Sequence, residues 1–466
     1  MDGLTVVILT AGEGKRMRSR QPKVLHTMCG RPLLAYPLRI ARTVADRIVV
    51  VLGPNGEEVA QAAGPDVRTV AQRERLGTAH AVLQARPECG NGRVLVLPGD
   101  MPLLRGETIE ALLEQHARSG AAATVLTAVV PAPHGYGRVL RQRGRVTGIV
   151  EERDATDAEK KIAEINTAVG CFEGGDLWAA LEKVRPQNDQ GEYYLTDVIG
   201  ILARAGKRVD AVTVPDPSDA LGVNDRRQLA TVAAIQRQRV LDRLMEGGVT
   251  VIDPATTYVD DTVTIGADTV LQPHVMLQGK TVIGSDCVIG LGSHVSGCQL
   301  GDHVRLHPYC VLTDSVIEDH AELGPFCHLR PQAHIGPKAK IGNFVEVKKS
   351  RIGRGSKAPH LAYIGDATVG EDVNVGAGTI TCNYDGEKKH PTAIGDRVFV
   401  GTNSTLVAPV TIGEGAYVGA GSVVTHDVPP GALALGRAHQ VVKEGWATKR
   451  AAARRAATKP ADKPAE

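Results

Sequence analysis

Two regions of this chain carry residue types at spacings that can do chemistry. In the first, Leu9-Thr10-Ala11-Gly12-Glu13-Gly14-Lys15-Arg16-Met17 follows an apolar run, and Gln21-Pro22-Lys23 comes soon after. Closely spaced glycines let backbone N–H groups approach phosphate oxygens, and Arg16 and Lys23 add positive charge. The dinucleotide fingerprint would need a third glycine where Met17 stands. A P-loop would need Ser or Thr where Arg16 stands. Both fail, which leaves another kind of phosphate loop or a structural tight turn. Gly99-Asp100, after the apolar run Val94–Leu97, sets a carboxylate where it would hold a cation or cap a strand. In the second region, Arg330, Lys348, His360, Tyr363 and Asn374 precede a polar interval, Thr381 to Thr392, that holds Asn383, Tyr384 and Lys389. A neutral histidine is suited to take a proton near pH 7, although His360 read alone is a surface residue.

The elements that must position these residues differ between the two regions. Over the first 220 or so residues, strands are expected at Thr5–Leu9, Ile48–Leu52, Val94–Leu97, Thr124–Val130 and Val209–Val214. Helical periodicity lies between them at Leu33–Val44 and Ile109–Ala117. Such alternation argues for an α/β domain with a mostly parallel sheet, whose ligands bind beyond the carboxyl ends of the strands. From 224 to 246, Leu229, Val232, Ala233, Gln236, Val240, Leu241 and Leu244 follow helical spacing up to Gly247-Gly248, as in a linker helix.

Beyond the helix the period becomes six. Aliphatic residues stand at Ile394, Val400, Leu406, Ile412, Val418 and Val424, and upstream at Ile317, Leu323, Leu329, Ile335, Ile341 and Val347. This period fits neither an amphipathic helix nor an alternating strand; it fits a parallel β-helix of stacked hexapeptides. Thr381 to Thr392 breaks the period and should loop out of the solenoid. Residues 447 to 466 hold Ala, Lys, Arg and Pro with no large apolar residue, so a solvated, unfolded tail is expected.

Composition sets the outer limits. The 466 residues suggest roughly two to four domains. A 42 % hydrophobic content supplies a core, and 3 % aromatics suits thin coils filled by Val, Ile, Leu and Ala. A formal charge of +2 demands neither nucleic acid nor an acidic membrane. The cysteines form no C-x-x-C pair and read as reduced small hydrophobes of a cytosolic protein. No apolar run is long enough for a signal peptide or a membrane span.

Leu9-x-x-Gly12-x-Gly14-x-Arg16-Met17 with Pro22-Lys23 resembles the signature of sugar-phosphate nucleotidyltransferases. Further matches are Gln72, Leu76-Gly77-Thr78-Ala79-His80-Ala81, Gly99-Asp100-x-Pro102-Leu103, Gly135-Tyr136-Gly137-Arg138, Glu151, Ile165-Asn166-Thr167, Gly191 to Asp197 and Gly222-Val223-Asn224. Together with the solenoid, residues 4 to 446 or so resemble the bacterial family of bifunctional N-acetylglucosamine-1-phosphate uridyltransferases / glucosamine-1-phosphate acetyltransferases. The resemblance implies a Rossmann-like nucleotidyltransferase domain (1–223), a linker helix (224–246), a left-handed parallel β-helix acetyltransferase domain (247–446) and a disordered tail (447–466). It implies a cytoplasmic homotrimer that uses UTP, N-acetylglucosamine-1-phosphate, glucosamine-1-phosphate and acetyl-coenzyme A.

Residue roles follow from the same resemblance. Asp100 and Asn224 would hold Mg²⁺, which suits a cage of few protein oxygens completed by phosphates. Leu9, Ala11, Gly12, Gly14, Arg16, Lys23, Gln72, Gly77 and Thr78 would take the nucleotide, and Gly137, Glu151, Asn166 and Asn224 the sugar side of the product. His360 would be the general base of acetyl transfer. Arg330, Lys348, Tyr363 and Asn374 would bind the acceptor, and Asn383, Tyr384, Lys389, Thr402, Ala420 and Arg437 acetyl-coenzyme A. Lys15, Arg75, Pro98, Pro359 and Thr402 depart from the residues more usual in this family. Rival readings are a single-activity nucleotidyltransferase with a structural β-helix and a non-catalytic scaffold. Asp100 and Asn224 argue against the scaffold, and His360 with the Asn383 loop against the single activity.

Overall fold

A computed structural model describes residues 3–458, and the chain divides into two compact units, Met1–Val282 and Ile283–Glu466. The first unit is built on β1 (Leu4–Leu9), β2 (Arg47–Leu52), β3 (Arg68–Ala71), β4 (Arg93–Pro98), β5 (Ala123–Val129), β6 (Arg138–Gln142), β7 (Arg145–Val150), β8 (Glu164–Glu173) and β9 (Val209–Thr213). The sheet's main path is β9-β5-β8-β4-β1-β2-β3, and β6 and β7 form a hairpin attached to β8. Path neighbours are parallel except at β8, which runs antiparallel to both β4 and β5.

Side chains alternate across this sheet. Val6, Ile8, Val50, Leu95 and Leu97 face α1 (Ala35–Val44) and α3 (Gly106–Ser119). Val7, Val49, Val51, Val94 and Val96 face α2 (Thr78–Gln84) and α4 (Asp197–Arg204). Burial on both faces explains why the strands read as unbroken apolar runs. The expected strands coincide with observed ones, except that Val130 and Val214 lie one residue past the ends of β5 and β9. β8 escaped notice because Asn166, Thr167 and Gly170 interrupt its apolar pattern.

The linker helix α5 (Arg226–Glu246) begins at Asp225, whose carboxylate accepts the N–H groups of Arg227 and Gln228, both at 2.9 Å. Val232, Val240, Leu241 and Leu244 are buried along it. Asp261, its side chain 1 % exposed, accepts from Arg31 Nε (3.1 Å), Arg39 Nη1 (2.8 Å) and Arg243 Nη1 (3.1 Å). This one carboxylate ties the sheet domain, α5 and the first hexapeptides together. Those hexapeptides pair in parallel, Thr250–Val251 with Val270–Leu271 and Tyr258–Val259 with Met276 and Leu277.

In the second unit, short parallel strands stack into three faces of a left-handed β-helix. The sixth-place aliphatics Ile317, Leu323, Leu329, Ile335, Ile341 and Val347 are at most 1 % exposed. At Gly401 a Cβ would lie 2.5 Å from the amide nitrogen of Ala420, so coil stacking demands glycine there. Asn383 to Pro391 leaves the stack between strands Ile380–Cys382 and Thr392–Ile394, so the interval that breaks the period loops out except at its ends, where Thr381, Cys382 and Thr392 stay in strands. All the cysteines are free thiols. Among the described residues no helix is long and apolar enough to cross a membrane.

The tail departs from expectation. Trp446–Ala457 forms helix α6, every residue of it exposed; the rest of the expected unfolded segment, from 459 on, lies outside the described residues. Burial alone guided the expectation, whereas Ala, Arg and Lys favour a helix without it.

Candidate active sites

In the first unit β1 ends at Leu9 and the chain turns through Gly12 and Gly14. Gly14 has φ 64, and a Cβ there would lie 2.9 Å from Lys23 Cβ, so the turn closes directly on that lysine. An open cleft follows, lined by Leu9, Ala11, Gly12, Lys15, Lys23, Gln72, Arg75, Gly77, Thr78 and Asp100, among others. Arg16 is exposed and stands outside this lining. Gly77 has φ 112 and leaves no room for a side chain, since a Cβ would meet Tyr193 O at 2.5 Å. Buried Gln72 donates from Nε2 to Gly77 O (3.0 Å) and lies 3.0 Å from His80 Nδ1. Arg75 Nε donates to Ala11 O at 2.9 Å, and Lys15 pairs with Glu13 at 3.0 Å. These departures from family pattern thus brace the loop on which they border.

At the cleft floor Lys23 Nζ forms an ion pair with Asp100 and donates to Asn224 Oδ1 at 3.2 Å. Two oxygens from separate loops therefore converge on one cation. Val223 N donates to Asp100 O at 2.9 Å and joins the two loops directly. Among the described residues no group of three or more His, Cys, Asp or Glu is set to hold a metal. A divalent ion that takes one carboxylate and one amide oxygen, and the rest from phosphates, fits this pair.

A neighbouring cavity shares Leu9, Thr78 and Ala168 with the cleft and adds Glu151, Asn166, Thr196, Ile149 and Phe172. Glu151 accepts from Thr196 Oγ1 at 3.0 Å. Burial pushes its carboxyl above the ordinary range, with Asp154 and Asp197 adding to the rise. At Gly137 a Cβ would lie 3.3 Å from the Glu151 carboxylate. Gly137 O accepts from Asn166 N at 2.8 Å. β8 shifts register between Asn166 and Gly170, and Ala168 there has φ 61. A non-glycine in that left-handed conformation, at a cavity wall, is backbone strain at a functional place.

In the second unit the candidate residues fall on two faces. Lys348 and Tyr363 lie on one, in strands Glu346–Lys348 and Tyr363–Gly365. Arg330 pairs with Glu346 at 2.8 Å. Lys389 reaches Lys348 from the extruded loop and, as the nearest cation, pulls the Lys348 pKa below its ordinary value. Asn383 donates from Nδ2 to Asp366 Oδ2 (2.5 Å) and to Tyr363 Oη (3.4 Å). Tyr384 and Lys389 bridge the loop in antiparallel fashion, and Tyr384 is exposed. Arg330, Lys348 and Lys389 outnumber the nearby carboxylates Glu346 and Asp366, and this excess of positive charge beside a loop suits an anion.

His360 ends strand Lys357–His360 on the adjacent face, its Nδ1 hydrogen-bonded to Asn343 Oδ1 one coil earlier. The register Lys357, Asn374, Phe399, Tyr417 carries His360, Ala377, Thr402 and Ala420 onto one rail three residues further on. Asn374 stands at the start of that rail's strands, three residues back from His360's level. Arg437 Cδ passes 4.0 Å from the place a Cβ would take at Gly421, beside Ala420. Pro359 O would lie 1.8 Å from a Cβ at residue 342, so Gly342 accommodates it. Asn343 and Asp366 were not singled out from the sequence; counting back one coil, 17 residues, from His360 would have found Asn343.

Residues 6–164 match the model of the MobA-like NTP transferase domain. Residues 314–349 and 391–426 match the bacterial transferase hexapeptide (six repeats), and 280–307 the hexapeptide repeat of succinyl-transferase. A bifunctional protein GlmU of Pelotomaculum thermopropionicum is 53 % identical over 451 residues, 96 % of this chain and 98 % of that one. Those of Anaeromyxobacter sp. and Heliobacterium modesticaldum are 50 % and 49 % identical, covering 96 % and 95 % of this chain and 93 % and 97 % of theirs.

Proposed function

This chain belongs to the family of bifunctional GlmU proteins, and from that premise we propose which residues carry each of its two transfers. It is a transferase of UDP-N-acetylglucosamine synthesis, with acetyltransferase and uridyltransferase activities, and so serves peptidoglycan and cell-wall synthesis. Nucleotide-sugar and acyl-coenzyme A substrates go with the family. The division of labour is 1–223 for uridylyl transfer and 247–446 for acetyl transfer, joined by the helix 224–246.

In acetyl transfer, Arg330 and Lys348 hold the phosphate of glucosamine-1-phosphate, Tyr363 and Asn374 orient the sugar, and Asn383, Tyr384 and Lys389 close the loop over it, toward acetyl-coenzyme A. His360 takes the ammonium proton at Nε2, since Nδ1 is engaged by Asn343. The freed amine attacks the thioester of acetyl-coenzyme A laid along the rail of Thr402 and Ala420, with Arg437 on its phosphates. Homotrimerisation through the solenoids, with acetyl sites shared between chains, is supported by the separation of His360 and the Lys348 cluster onto two faces. In uridylyl transfer, the phosphate oxygen of N-acetylglucosamine-1-phosphate attacks the α-phosphorus of UTP and pyrophosphate leaves. Gln72, Gly77 and Thr78 hold uracil. The Gly12–Gly14 turn and Lys23 meet the phosphates, with exposed Arg16 following the turn outside the cleft lining, and Gly137, Glu151 and Asn166 meet the sugar. The family typically uses a divalent metal; Mg²⁺ on Asp100 and Asn224 would offset the charge gathered between the two substrates. UTP and acetyl-coenzyme A as substrates favour the cytoplasm.

The observation that carries the reading is the meeting of Asp100 and Asn224 on one cation beside the Gly-rich turn. Incubation with glucosamine-1-phosphate, acetyl-coenzyme A, UTP and Mg²⁺ should yield UDP-N-acetylglucosamine and pyrophosphate. Acetylated sugar phosphate without the nucleotide sugar would leave only the solenoid reading standing.

A further inference from the structure

The loops that carry Asp100 and Asn224 leave the sheet at different places, yet a single buried carboxylate lies behind both. Asp219, 1 % exposed, sits in the short 3-10 turn Pro217–Ala220. It accepts from Arg105 Nε at 3.0 Å, Arg239 Nη2 at 2.8 Å and Thr108 Oγ1 at 3.2 Å. Arg105 closes the loop that begins at Asp100. Arg239, on α5, also donates from Nη1 to Leu103 O in that same loop, at 2.7 Å. Asp219 therefore holds the Asn224 loop to the Asp100 loop through two guanidinium groups, which the more exposed Asp216 also engages (Arg105 Nη2 at 2.8 Å, Arg239 Nη2 at 3.2 Å), while Val223 N and Asp100 O close the gap on the cleft side. A carboxylate with its charge bonded on this scale fixes loop spacing; freed, it leaves the arginines to pull elsewhere.

We propose that Asp219 is a positioning residue for the divalent ion of uridylyl transfer, setting the separation of Asp100 and Asn224 from behind. The inference rests on the assignment of those two residues as metal ligands. Groups bonded to metal ligands typically change metal affinity about 10–100-fold when lost; Asp219 acts one step further back, through Arg105 and Arg239, so the lower end of that range is expected here.

The test uses the full chain and Mn²⁺ as probe, with bound Mn²⁺ read by electron paramagnetic resonance in the presence of UTP. Asp219→Asn keeps the side chain's shape and removes its charge. It should weaken Mn²⁺ binding about 10-fold or more and move the Mn²⁺ midpoint of uridylyl transfer in parallel, with saturating metal restoring the rate. Acetyl transfer should be unchanged. Asp219→Glu, which keeps the charge, should lie between the two. Should Asp219→Asn lower uridylyl transfer at an unmoved Mn²⁺ midpoint, the residue serves stability alone and the inference fails. If Asp219→Asn does not fold, Arg239→Lys replaces it under the same criterion. Asp100→Ala is the control: if it leaves Mn²⁺ binding intact, the ligand assignment itself falls. If it abolishes binding while Asp219→Asn has no effect, only the positioning role falls.

Discussion

The side-chain oxygen of Asn343 holds Nδ1 of His360 from the coil before it, which leaves Nε2 as the ring's basic nitrogen. A positioned base contributes about 10²–10⁴-fold, so His360→Ala should lower acetyl turnover by that order and spare uridylyl transfer. Higher pH should restore part of the loss, because more of the amine is then neutral. Asn343→Ala should cost less, about 3- to 10-fold, the worth of one neutral hydrogen bond. A wild-type pH profile in His360→Ala would assign the proton to another group.

Lys348 and Lys389 repel one another in the free protein, as the lowered Lys348 pKa records. Lys389→Ala should therefore raise the thermal midpoint without ligand and shrink the further rise that glucosamine-1-phosphate brings. Thermal scans with and without the sugar phosphate measure both. A loss of stability in the unliganded variant would mean that the loop lysine serves the fold rather than the ligand.

Metal dependence should divide the two activities. Chelation, or Asp100→Ala, should abolish uridylyl transfer and leave acetyl transfer at its original rate. Equal loss of both, in folded protein, would overturn the assignment of separate sites.

Asp261 bonds three arginines, one of them on α5. Asp261→Ala should destabilise the first unit by roughly 1.5–3 kcal/mol, the range for a hydrogen bond to a charged group; the half-exposed arginines keep the figure low. A fragment that ends near Arg227 loses Arg239 and Arg243. It should melt below one that runs through the first hexapeptides, which denaturant unfolding of the two would decide.

Acid should weaken the solenoid over a definite window. Lys340 and His307 hold Glu322 at about 2, against an ordinary 4.5. The folded state therefore binds this proton less readily than the unfolded chain. Its contribution is full above about pH 4.5 and is lost as pH falls toward about 2. Glu322→Gln should flatten the stability profile over that interval, and an unchanged acid limb would count against the pairing.

Much of this was legible from the chain. The sixfold aliphatic period specifies the stacked coils because each Ile or Val must meet its counterpart. The glycines of Leu9–Met17 specify a turn because Gly14 must close on Lys23. Asp219 and Asp261 were not legible, since their arginine partners lie far away in sequence and only the folded chain brings them together. The same is true of His360's face. Nothing in Lys-Ala-Pro-His tells which side of a triangular coil it occupies until the strands are in register. The antiparallel strand β8 was hidden for a local reason: Asn166 lines a cavity, and buried Thr167 donates to Leu126 O at 2.8 Å instead of adding an apolar side chain to the core.

The rail of His360, Ala377, Thr402 and Ala420 has a further consequence. Successive rungs of stacked strands lie ~4.8 Å apart, so the solenoid is a ruler. Removing one coil between His360 and Thr402 would keep every core contact type and shorten the measure by a single graduation. A coenzyme anchored beyond Ala420 would then present its reactive carbon one step past the imidazole. The repeat number between these residues is therefore specified by the reach of the coenzyme as well as by the side chains the coils carry, and a coil-deleted protein should fold and yet transfer nothing.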